Sequence, residues 1–216
     1  GRSGVVGMYV RGDGNVGIGT VSPQKALHIE GASGVSASQL LVCGPSDTVG
    51  DTAGILLRAE GGEADSALRA KGGIFFEREA ANGLGKLHLC NNGSNNNDSA
   101  DLTDAALTIA QTKNVGIGTT SPDSKLHVKG ISTIEEATVG AGTQLKFAGQ
   151  DSSGHFNFLV GKQYNVSNAF EITPSTAVNG TTFTNPAFIV NSAGKVGIGV
   201  TSFTAGVKLE VAGNIK

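Results

Sequence analysis

Apolar and polar positions alternate along this chain in short stretches, separated by clusters of Gly, Asn, Asp and Ser. In Val16-Gly17-Ile18-Gly19 the β-branched residues fall on one side of an extended backbone and the glycines on the other, the period of two that defines a strand. The string returns as Val115-Gly116-Ile117-Gly118 and Val196-Gly197-Ile198-Gly199. Thr20-Val21-Ser22-Pro23 follows the first copy, Thr119-Thr120-Ser121-Pro122 the second and Val200-Thr201-Ser202-Phe203 the third. Proline presets a central φ of a turn and the Ser hydroxyl can close an ST turn, so this segment predicts a tight turn. A second alternating stretch comes next: Leu27-His28-Ile29, Leu126-His127-Val128 and Leu209-Glu210-Val211. Each module therefore reads as strand, tight turn, strand. The third copy departs from the pattern in Phe203 and in two added residues before Lys208-Leu209.

The repeat also extends upstream, to Met8-Tyr9-Val10, Leu107-Thr108-Ile109 and Phe188-Ile189-Val190. The copies lie 99 and 81 positions apart, too far and too unequal for a solenoid period. The organisation predicted is a connector at 1–31, a β insert at 32–106, a second connector at 107–130, a second β insert at 131–187 and a third connector at 188–216. Within the inserts, Ile74–Glu79, Lys86–Leu89, Gln144–Phe147, His155–Val160 and Ala169–Ile172 read as short strands bounded by turn residues. Asp101–Ala106 is too short for more than a turn, Ile134–Val139 is a weak helical candidate, and Asn91–Ser99 reads as an exposed polar loop. The fold class predicted is all-β.

Composition sharpens this picture. Glycine supplies 33 of 216 residues, about twice the roughly 7% of ordinary proteins, and there are 9 Phe, 2 Tyr and no Trp to anchor a thick core. Sixteen Lys and Arg against 18 Asp and Glu, with no basic block, argue against a nucleic-acid footprint or a polybasic membrane patch. No apolar run approaches a membrane span, so no membrane insertion is expected. The chain opens Gly1-Arg2-Ser3-Gly4 with its one Met at position 8, which reads as a segment of a longer polypeptide. Cys43 and Cys90 each close an alternating stretch and read as buried free thiols, with one intrachain bridge, or an interchain bridge or reactive thiol, as the alternatives.

Candidate chemistry is sparse, and no catalytic residue, cofactor or metal is expected. Gly17-Ile18-Gly19 lacks the third glycine, the following helix and the acidic residue of a dinucleotide site. His28 and His127 occupy a repeat position where the third copy has Glu210, which reads as solvent-facing; the sharper reading is an axial ion held by symmetry-related His127 side chains. Glu77 and Glu79 share a strand face near Glu60, Glu63 and Asp65, the residue types of glycoside hydrolysis, but Arg58, Arg69 and Arg78 interleave them and favour salt-linked surfaces. The sequons at Asn92, Asn97, Asn165 and Asn179 matter only in a eukaryotic secreted chain.

Each connector offers few apolar side chains, and an isolated hairpin is marginal in water. Burial against other copies would supply the missing neighbours, with Val16, Ile18, Leu27, Ile29, Val115, Ile117, Leu126, Val128, Val196, Ile198, Leu209 and Val211 forming the core between chains. Gly17, Gly19, Gly116, Gly118, Gly197 and Gly199 would then permit close packing against a neighbouring backbone. The string Asn114-Val-Gly-Ile-Gly-Thr-Thr-Ser-Pro122 through Lys125-Leu-His-Val128 resembles the connector of bacteriophage tail fibres and tailspikes. The closing Lys208–Lys216 is similar to the segment that in those proteins runs into an endosialidase-type intramolecular chaperone domain. The match covers 8–31, 107–130 and 188–216. It implies an elongated, intertwined homotrimeric β-rich fibre on a virion, outside the cell, with neighbouring fibre or tail proteins and host-surface glycan or protein as partners. Asn91–Ser99 and Asn179–Thr184 are the loops expected to make such contacts. The competing classes are a bacterial trimeric surface adhesin and a glycan-binding or glycan-cleaving tailspike module.

Overall fold

The computed structural model describes residues 7–31, 40–60, 68–135, 142–149 and 154–213, and it is all-β. The chain divides into Gly1–Ile131 and Ser132–Lys216. The first unit holds a three-stranded sheet, β1 (Met8–Val10), β2 (Val16–Ile18) and β3 (Leu27–Ile29). It also holds a six-stranded sheet, β4 (Thr52–Leu57), β5 (Gly72–Arg78), β6 (Gly85–Asn91), β7 (Ala105–Ile109), β8 (Val115–Ile117) and β9 (Leu126–Val128). The second unit holds β10 (Thr143–Phe147), β11 (Phe156–Lys162), β12 (Ala169–Val178), β13 (Phe188–Asn191), β14 (Val196–Ile198) and β15 (Leu209–Val211) in one sheet. In all three sheets spatial order follows chain order. The strands of each insert are thus continuous with the connector that follows.

The connector is not a hairpin. β2 and β3, β8 and β9, and β14 and β15 pair in parallel, in the same register each time: Val16 opposite Leu27, Val115 opposite Leu126, Val196 opposite Leu209. The Gly-Thr-x-Ser-Pro tract is therefore a crossover, which lets the chain re-enter alongside the strand it has just left. Gly19, Gly118 and Gly199 start it at φ of 80°, 70° and 68°, a conformation that costs other residues energy. The turn inside it is closed by threonine rather than serine: Thr20 Oγ1 accepts from Ser22 N and Thr119 Oγ1 from Ser121 N, both at 3.2 Å. The two added residues of the third copy lie in its crossover, and the register of β15 is unchanged.

The tight hairpin lies upstream, between the first and second strands of each repeat. Gly14 N donates to Arg11 O, Lys113 N to Ala110 O and Gly194 N to Asn191 O, at 2.8–2.9 Å. The residue in the left-handed region is Gly14 or Gly194 in two copies and Lys113, at φ 62°, in the other. We expect Lys113→Gly to stabilise the chain by about 0.5–1 kcal/mol, the left-handed penalty of a side chain less the entropy that glycine adds to the unfolded state. Urea unfolding of the two proteins measures it.

Other expectations are corrected in detail. Leu40–Cys43 is exposed and forms no strand; Cys43 is a free, exposed thiol, whereas Cys90 is free and buried. Burial pushes the Cys90 thiol up, which keeps it protonated and unreactive. The Asp101 segment is a single 3-10 turn, Leu102–Asp104, capped reciprocally by Asp101 and Asp104. Ile134 and Glu135 are not helical, and residues 136–139 lie outside the described residues, as do Glu63 and Asp65.

Candidate functional site: the apolar sheet faces

Pairing registers set the two faces of each sheet. In the first unit one cross-strand row reads Ile55, Ile74, Leu89, Leu107, Ile117, Val128, and the next Ala53, Phe76, Leu87, Ile109, Val115, Leu126. Every position is apolar. In the second unit the matching row is Leu145, Val160, Ile172, Phe188, Ile198, Val211. The three-stranded sheet carries Met8, Ile18, Ile29 and Val10, Val16, Leu27. The twelve connector residues expected to form a core between chains all lie on these faces, and the insert strands extend the same rows.

These faces are open in the single chain. Ile18, Ile117 and Ile198 are 41–44% exposed, and Leu27, Leu126 and Leu209 are 56–61% exposed. Ile55, Ile74, Phe76, Leu89, Leu145, Phe147 and Phe158 are exposed as well. The buried hydrophobic residues described are Ala70, Cys90, Ala100, Leu159, Ala169, Phe183 and Ile189, with Pro23 of the first crossover buried as well, so among the described residues of the first unit no Val, Leu, Ile, Met, Phe or Tyr side chain is buried. Soluble monomers rarely expose contiguous apolar patches of more than a few hundred Å².

The opposite, glycine-bearing face is covered by the chain itself. A Cβ on Gly17 or Gly116 would lie 2.3 Å from the carbonyl oxygen of Thr20 or Thr119, the first residues of the crossovers. On Gly197 it would meet side-chain carbons of Ile189 and Val200 at 2.8 Å. On Gly19 and Gly118 it would approach Glu30 O at 2.1 Å and Lys129 O at 2.9 Å, and on Gly199 the Ala212 Cβ at 3.3 Å. Within the single chain, the close approach that these glycines permit is made by the chain's own crossover and flanking strands.

The repeat position His28, His127, Glu210 lies on this covered face and fastens the crossover. His28 Nδ1 accepts from Gln24 N at 3.4 Å, His127 Nδ1 lies 3.1 Å from Asp123 Oδ1, and Glu210 accepts from Thr204 N at 2.7 Å and Thr204 Oγ1 at 3.0 Å. All three residues are half-buried, which corrects the solvent-facing expectation. In the third copy Lys195 sits 5.6 Å from the ring of Phe203, the residue in the proline's place.

Two polar networks occupy the same face. His88, 1% exposed, lies between Glu77 Oε2 at 3.1 Å and Thr108 Oγ1 at 3.0 Å. A carboxylate only accepts, so Nε2–H donates to Glu77, and Nδ1 shares the second hydrogen bond with the Thr108 hydroxyl. This carboxylate–imidazole–hydroxyl line has the order of an activated nucleophile, but Thr108 is 1% exposed and its oxygen is shut inside the sheet. Glu171, fully buried, accepts from Asn165 N, Val166 N, Asn165 Nδ2 and Thr173 Oγ1 at 2.6–3.2 Å, which satisfies the carboxylate without a cation and ties down the loop before β12.

The other candidates separate. Glu79 pairs with Lys86 at 2.6 Å, Arg78 with Asp47 at 3.2 Å and Arg69 with Glu60 at 3.2 Å, so Glu77 and Glu79 have different partners. Arg11 holds the Asp13 carboxyl down at about 2, on the exposed hairpin of the first repeat. Of the polar loops, Asn91–Ser99 is pinned by Lys71, whose Nζ donates to Asn96 Oδ1 and Asp98 O at 2.7 and 2.8 Å, and Asn92 is buried. This loop borders an open hollow of about 800 Å³ with Arg58, Glu60 and Arg69 on its other side. In Asn179–Thr184 the buried Phe183 anchors the loop in the core of the second unit, a role its polar neighbours concealed. Among the described residues no group of three His, Cys, Asp or Glu side chains could hold a metal, and no helix is long and apolar enough to cross a membrane. Compared with known protein families and curated proteins, the chain matches no family model and no curated sequence.

Proposed function

We propose that this chain is a structural segment of a homotrimeric viral fibre, the shaft of a bacteriophage tail fibre or tailspike, which holds a host-recognition tip away from the virion. The observation that carries the proposal is the uncharged pair of cross-strand rows from Ile55 and Ala53 to Val128 and Leu126, exposed in a unit whose described residues bury no Val, Leu, Ile, Met, Phe or Tyr side chain. Copies of the same chain are its natural cover. A row of the same chemistry recurs in each sheet, and each buried square ångström of it contributes about 25 cal/mol. Threefold assembly, the extracellular virion location and contacts with neighbouring tail proteins or host glycan rest on the resemblance of the connectors to phage fibres. On this reading the work is mechanical: apolar burial between chains stiffens the shaft, and the crossovers, closed on themselves by glycine and threonine, keep the outward-facing surface polar.

Electron microscopy of the purified chain tests the reading. The expected images are rods of uniform width and constant length. Compact particles of single-chain size would overturn it.

A further inference from the structure

We propose that Asn82 is a site of spontaneous covalent modification, at which the side-chain amide is lost through a succinimide formed with Gly83. The chain has three Asn-Gly pairs, Asn82-Gly83, Asn92-Gly93 and Asn179-Gly180, and the fold treats them differently. At Asn92 the amide is engaged at both ends: Oδ1 accepts from Ser94 N at 2.9 Å, Nδ2 donates to Ser99 O at 3.5 Å, and the residue is buried. At Asn179 the backbone is held on both sides of the reacting peptide. Asn179 N donates to His155 O and Gly180 N to Ala177 O, each at 2.9 Å, and Gly180 O accepts from Asn157 Nδ2 at 2.9 Å.

Asn82 stands at the tip of the β5–β6 loop, where Ala81–Leu84 are all exposed. Its side chain has no hydrogen bond among the described residues, and nothing lies within 4 Å of where a Gly83 Cβ would be. The loop is closed by Glu79 N and Ala80 N donating to Leu84 O at 2.9 and 3.1 Å and by the longer Leu84 N to Ala81 O bond of 3.3 Å; among the described residues none of these bonds engages the Asn82–Gly83 peptide, so the Asn82 ψ, now 27°, can rotate to bring the Gly83 nitrogen to the side chain. The Gly83 backbone nitrogen attacks Asn82 Cγ, a C–N bond forms, and the side-chain nitrogen leaves as ammonia with the proton lost from Gly83. Water then opens the ring at either carbonyl, which leaves aspartate or isoaspartate. One water is consumed and one ammonia released. The product adds a carboxylate to a loop whose existing one, Glu79, is already paired with Lys86.

Peptide mapping by mass spectrometry after incubation in warm, mildly alkaline buffer tests this, with folded protein and urea-unfolded protein run in parallel. In urea the three asparagines should convert at similar rates. In the folded protein Asn82 should convert at least roughly tenfold faster than Asn92 and Asn179, which react only after local opening. Retention of Asn82 to the same extent as Asn92, or earlier conversion of Asn92 or Asn179, would overturn the assignment.

Discussion

Ile117→Asp is expected to abolish assembly of the chain. Ile117 is 43% exposed in the single chain and stands in the middle strand of its repeat, opposite Leu107 on one side and Val128 on the other. In the proposed assembly each copy would carry one such carboxylate into an interface whose rows offer no cation. An ion taken from water without a partner costs several kcal/mol, and like charges brought together add to it. Gel filtration should show the variant as single chains or as aggregates from the exposed faces, with a large loss of melting temperature. Thr112→Asp, with the same charge on the exposed hairpin of the same repeat, should assemble and melt like the parent. Ile117→Asp that assembles normally would remove these faces from any interface.

Gly116→Ala has the second largest expected effect, and its cause lies inside one chain. The added carbon would lie 2.3 Å from the Thr119 carbonyl oxygen, a backbone atom with little room to move, while the φ of Gly116 suits alanine. Overpacking of this kind costs about 2–3 kcal/mol. Gly197→Ala meets Cγ1 of the buried Ile189 and a methyl of Val200, both at 2.8 Å, and should cost less, about 1 kcal/mol, because side-chain carbons give way more readily than a backbone carbonyl. Urea midpoints of the two variants test the order. Equal losses would mean that the crossover does not sit on the glycine as described.

The strands were legible where alternation was clean. Ile74–Glu79, Lys86–Leu89 and Gln144–Phe147 foretell β5, β6 and β10 to within a few residues, because one face is apolar and the other polar. β4 was hidden: Ile55-Leu56-Leu57 is apolar on both faces, so no period of two marks it. β12 runs through Pro174, which sequence rules place at a strand end; here the proline lies beside a register shift between β11 and β12, beyond the part of β12 that pairs with β13. The parallel pairing of each connector was not legible either, because Gly, Thr, Ser and Pro between two short strands have the composition of a hairpin turn, and direction is not written in periodicity. The apolar half of the candidate site could be read from the repeat alone. Its extension across the insert strands, the burial of His88 and Glu171 and the role of His28, His127 and Glu210 depend on pairings distant in sequence.

The central claim is that the open apolar faces are covered by other copies of the same chain, and the mass in solution tests it most directly. Light scattering on the purified protein should give three times 21.8 kDa, unchanged on dilution. A folded, stable particle of 21.8 kDa would contradict the account, since the first unit would then stand with its apolar rows facing water.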